Sequence, residues 1–127
     1  MGYESKFDYE FSSDVEINDI TELNKKIAKL DGGMGESIIG KSKFNSITYY
    51  YIELDYSYGK FYNNKDFAEL LSQHIVKGSV NLTWIGEDGT VESMNVYPNK
   101  TENLKCVFVP ESIADKVQKY ISKLTKN

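Results

Sequence analysis

Gly35-Glu36-Ser37-Ile38-Ile39-Gly40-Lys41-Ser42 carries the spacing of a phosphate-binding loop: two glycines with four residues between them, then lysine and a hydroxyl residue. In that chemistry backbone amides cradle a triphosphate, the lysine neutralises it and the hydroxyl holds magnesium. The arrangement needs a buried parallel strand before the loop and a helix after it, so that the helix N-terminus faces the phosphates. Here a helical pattern precedes the loop and a strand pattern follows, the reverse order. Tyr51-Ile52-Glu53-Leu54-Asp55 imitates a magnesium-binding acidic strand, but no helix separates it from the loop. The match therefore reads as a product of local Gly, Lys and Ser content.

The remaining reactive side chains are few. His74 is the only histidine and Cys106 the only cysteine. His74 falls beside the apolar stripe of a helix, which suits a partly buried structural side chain. Cys106 alternates with Leu104 and Phe108 in an expected strand and reads as a small buried hydrophobe. One cysteine allows neither an internal disulfide nor a cysteine metal cluster. A nucleophilic triad needs a base beside its nucleophile, and nothing in the spacing pairs these two. Glu53 and Asp55 share one side of a strand and could bind a metal, but such a pair is equally expected on a solvated face. The chain is read as a non-enzyme, with no catalytic residue, no metal ligand and no cofactor.

These residues must be positioned by 127 residues with a hydrophobic fraction of 40%, enough for one domain, 1–127. Alternation from Met1 to Phe11 puts Tyr3, Phe7, Tyr9 and Phe11 on one face of a strand, opposite Glu4, Lys6, Asp8 and Glu10. Asp19-Ile20-Thr21-Glu22 resembles a capping box opening a helix through Ile20, Leu23, Ile27 and Leu30, stopped at Gly32. Asp31 to Asn45 lacks clear periodicity and is expected to be a mobile, glycine-rich loop. Ser46 to Tyr56 is a second strand, and a second helix runs from Asn64 to Lys77 with Gly78 as its cap. Ser79 to Val109 reads as a three-stranded meander, with Trp84 as its largest apolar anchor. Asp88-Gly89 makes its first turn, and Pro98 to Asn103 its second. Pro110 opens a last helix with Ile113, Val117, Tyr120, Ile121 and Leu124 on one stripe. The order β-α-β-α-β-β-β-α predicts an α+β two-layer sandwich: a mostly antiparallel five-stranded sheet with helices on one face.

Composition narrows the function classes. The net charge is −4, and all fifteen basic residues are lysine. Nucleic-acid binders usually carry a basic stripe, and bidentate phosphate or guanine contacts favour arginine. No nucleic-acid partner is expected. No apolar run is long enough to span a bilayer, and no leader-like start is apparent, so no membrane partner and a cytoplasmic location are expected.

The feature best suited to function is aromatic. Tyr49-Tyr50-Tyr51 alternates so that Tyr49 and Tyr51 point away from the helices, beside Ile47 and near Thr83, Ile85 and Val91. Tyrosine offers large contact area and a hydrogen bond at low entropic cost. Ile47, Tyr49, Tyr51, Thr83 and Ile85 are therefore the expected contact residues for a protein partner or a second copy of the chain.

Gly2-Tyr3, the central aromatic strand, the following helix and Trp84-Ile85-Gly86-Glu87-Asp88-Gly89 together resemble small uncharacterised α+β proteins of bacteria and their phages, over about half the chain. Small size, acidity and the missing catalytic set also resemble phage-encoded inhibitors of host defence. What the resemblance implies is a binding protein, an accessory or anti-defence inhibitor, with no catalytic residue to carry over. The alternative expectation is a ligand- or nucleotide-binding module that uses the loop from Asp31 to Asn45.

Overall fold

The structure, a computed structural model, describes residues 4–54, 58–59, 61–105 and 110–124. The expected positions Tyr3, Asp55, Tyr56, Cys106 and Phe108 lie outside these. The chain is α+β, with antiparallel sheets and three α-helices.

The main sheet has four long strands, β1 (Ser5–Phe11), β7 (Val80–Gly86), β8 (Val91–Tyr97) and β9 (Lys100–Leu104), in that spatial order. The two-residue β5 (Tyr58–Gly59) borders β1. Alternation selects the buried face: Phe7, Val80, Leu82, Trp84, Met94 and Val96 all point into the core. Ile85 pairs with Val91 across the Asp88-Gly89 turn, where Gly89 takes the positive φ of 86° that the turn needs. The second turn is tighter than the sequence suggests. Tyr97 pairs with Lys100 around Pro98-Asn99, so β9 begins inside the stretch read as a polar connection.

Two helices close the core. α1 (Ile20–Ile27) contributes Leu23 and Ile27, and α2 (Asn64–His74) contributes Phe67, Ala68 and Leu71. Burial of these apolar stripes is what stabilises such short helices. Asp19 adopts a left-handed conformation, φ 50°, and its side chain makes no capping hydrogen bond, so the expected capping box does not form. An N-cap side chain reaches the first turn from extended backbone, not from this one. α2 also stops earlier than its stripe implies. Ile75–Lys77 leaves the helix as β6 and pairs with β2 (Glu16–Ile17), as β-branched residues prefer.

The strand expected at the centre of the sheet is not in it. Among the described residues β4 (Ile47–Glu53) pairs only with β3 (Ile38–Phe44), forming a separate two-stranded ribbon. The expected membership and layering of the sheet are corrected accordingly. The third helix, α3 (Glu111–Leu124), was also expected to bury its stripe against the sheet. None of its residues is buried, and Tyr120 and Leu124 are each more than 60% exposed.

Candidate functional site

The residues from Asp31 to Asn45 are folded rather than a loose loop. One turn of 3-10 helix, Gly33–Glu36, leads into β3. Two asparagine side chains anchor this stretch. Asn63 accepts from the Met34 amide at 2.9 Å and donates to the carbonyls of Asp31 and Gly32 at 3.1 and 2.9 Å. Asn24 accepts from the Ile39 amide and donates to the Ile39 carbonyl, each at 2.9 Å, which replaces the strand partner β3 would otherwise need there. Met34 and Ile39 are buried in the core.

This placement removes the phosphate-loop geometry. Gly40, Lys41 and Ser42 lie within β3, with no helix following. The Lys41 ammonium sits 5.8 Å from the centre of the Tyr50 ring, on the inner side of the ribbon. Gly40 has a packing role: a Cβ there would collide with the ring of Tyr51, its partner across the ribbon.

The ribbon separates two kinds of surface. Asn45 and Ser46 both have positive φ, 51° and 64°, as a two-residue hairpin turn between twisted strands requires. Period-two alternation from that turn sends Ile39, Tyr50 and Ile52 inward. Ile52 is buried, and the Tyr50 hydroxyl accepts from the Ile17 amide at 3.2 Å. The outward face holds Ile38, Gly40, Ser42 and Phe44 from β3 and Ile47, Tyr49, Tyr51 and Glu53 from β4. Phe44 is 70% exposed, Ile47 68%, Ile38 55% and Tyr49 46%. The rings of Tyr49 and Tyr51 lie 6.4 Å apart. Glu53 is the single charged residue on this face. Neither strand has a second hydrogen-bonded neighbour among the described residues.

Three of the five expected contact residues, Ile47, Tyr49 and Tyr51, thus share this face. The other two do not join it: Thr83 and Ile85 belong to β7 of the main sheet, paired with Asp8 and Lys6 of β1 and with Ser93 and Val91 of β8. Thr83 is committed to a polar ladder. Its hydroxyl donates to Asn81 Oδ1 at 2.9 Å and meets Ser93 Oγ at 3.0 Å, and Asn81 donates to Asn95 Oδ1 at 2.9 Å. Ile85 is exposed beside that ladder. Ile38 and Phe44 are the members that sequence reasoning missed. Their signal was the outward alternation Ile38, Gly40, Ser42, Phe44, interrupted to the eye by glycine.

The reactive residues have structural surroundings. His74 is 8% exposed. Its Nδ1 lies 2.8 Å from the Asn18 carbonyl oxygen, which can only accept, and its Nε2 lies 3.2 Å from the Lys26 ammonium, which can only donate. These partners suit the tautomer with the proton on Nδ1. Among the described residues no three His, Cys, Asp or Glu side chains are grouped to hold a metal ion, and no helix is long and apolar enough to cross a membrane. Comparison of the chain with protein-family models, with curated proteins and with solved structures finds no match.

Proposed function

We propose that this chain is a small binding protein that acts through a protein–protein contact made by the outward face of the β3–β4 ribbon. One observation carries the reading. In a chain that is 27% charged, this face presents Ile38, Phe44, Ile47, Tyr49 and Tyr51 with a single charge, Glu53, at the end away from the turn. Aromatic enrichment and charge depletion distinguish the centre of an interface from ordinary surface. Strand edges without a neighbour among the described residues add main-chain donors and acceptors that a partner strand can pair.

The partner is a protein, and a second copy is the first to consider. Two such faces related by a two-fold axis meet apolar against apolar without like charges near the turn. The net charge of −4 also suits a target with a basic surface, as an accessory or anti-defence inhibitor from a phage or mobile element would require. Replacing Ile47 and Tyr49 together by Ser tests the proposal. The double variant is expected to abolish association in light scattering while the circular dichroism spectrum is unchanged. Equal association by the variant and the natural chain overturns it.

A further inference from the structure

At one end of the main sheet, between the β7–β8 turn and the start of α2, lies a cleft of about 260 Å³ whose lining includes Phe61, Asn64, Trp84, Val91 and Glu92. Among the described residues two buried polar atoms of this lining have no hydrogen-bond partner: the indole Nε1 of Trp84 and the amide Oδ1 of Asn64. Trp84 is 2% exposed and Asn64 7%. Buried polar atoms are nearly always paired, because leaving one unpaired forfeits its hydration without return. A donor and an acceptor left over at the same cleft are complementary to a ligand that carries one of each.

The asparagine cannot be relieved by turning its amide over. Asn64 Nδ2 donates to Glu92 Oε2 at 3.1 Å, and the reversed amide would set oxygen against a carboxylate. Once the side chains that shield them shift, the cleft offers the indole N–H as donor, Asn64 Oδ1 as acceptor and the second carboxylate oxygen of Glu92 as a further acceptor. Phe61, Trp84 and Val91 supply apolar walls. No lysine lines it among the described residues, and the carboxylate opposes an anion.

We propose that this cleft binds a small, flat, neutral ligand with an amide-type edge, a carbonyl oxygen beside N–H groups, as in a lactam nucleobase or an aromatic carboxamide. Trp84 donates to the ligand carbonyl, while Asn64 and Glu92 accept from its N–H groups. Both orphan atoms are shielded from water, so entry requires the exposed Glu92 side chain to shift. The site is separate from the ribbon and does not depend on it.

Trp84 is the only tryptophan, so its indole N–H resonance is a single signal from a residue that lines this cleft. The full chain is titrated with guanosine and with nicotinamide, and with adenosine, whose base lacks the carbonyl, as control. The expected result is a saturable shift of the indole N–H signal with guanosine or nicotinamide and none with adenosine. Glu92→Gln should weaken that binding about tenfold, since a charge-assisted acceptor is lost. Ile47→Ser with Tyr49→Ser should leave it unchanged. No saturable shift with either probe, or an equal response to adenosine, overturns the proposal.

Discussion

Tyr51 lies across Gly40 on the facing strand of the ribbon, so close that a Cβ on Gly40 would collide with the phenol ring. The glycine that completes the phosphate-loop spacing is thus explained by packing, since an aromatic ring covers the gap a glycine leaves in a strand. Gly40→Ala should displace the ring and destabilise the chain by about 1 kcal/mol, the low end for overpacking because Tyr51 is only partly buried. A urea midpoint that does not move would show that the ring is free to leave at no cost. Lys41→Ala, by contrast, should change neither stability by more than about 0.5 kcal/mol nor response to ATP and magnesium.

Asn24 and Asn63 tie the glycine-rich stretch to the two helices. Asn24→Ala removes both hydrogen bonds to Ile39 and leaves its amide unpaired, at a cost of about 2–3 kcal/mol. In the natural chain the amides of Met34 and Ile39 should exchange slowly, because Met34 and Ile39 are buried and each amide is held by an asparagine side chain. Rapid exchange across 32–43 would show the mobile loop that the sequence suggests.

Trp84 is buried and packs against Phe7, their ring centres 5.4 Å apart. Trp84→Ala should cost on the order of 3–5 kcal/mol, as for other buried aromatic truncations. A change under about 1 kcal/mol in urea would contradict the assignment of the inner sheet face.

No residue of α3 is buried. Ending the chain before Pro110 should therefore shift stability by no more than about 0.5 kcal/mol. A larger loss would mean that the stripe from Ile113 to Leu124 packs on the rest of the fold.

How much of this was legible in the sequence follows from where local signals were strong. Phe7, Leu82 and Trp84 alternate without interruption, and Asp88-Gly89 specifies its turn, so the long strands β1, β7 and β8 could be read directly. Ile75 and Val76 continue the helical spacing of α2 while preferring extended backbone, and pairing with Glu16 and Ile17, remote in sequence, decides between them. In β3 the period was hidden because Gly40 has no side chain and its place on the face is filled by Tyr51 from the other strand. Half of the candidate contact face was therefore visible in Ile47, Tyr49 and Tyr51, and the half from Ile38 and Phe44 was not. Thr83 was misassigned because strand alternation gives a residue's face but not its sheet.

The central claim is that the outward face of the ribbon is where this protein meets its partner, and the most direct measurement follows backbone amide resonances as the concentration of the chain is raised. The account predicts concentration-dependent shifts confined to Ile38–Phe44 and Ile47–Tyr51, abolished by Ile47→Ser with Tyr49→Ser. Resonances that do not move with concentration, or shifts centred on Thr83 and Ile85 of the main sheet, would contradict it.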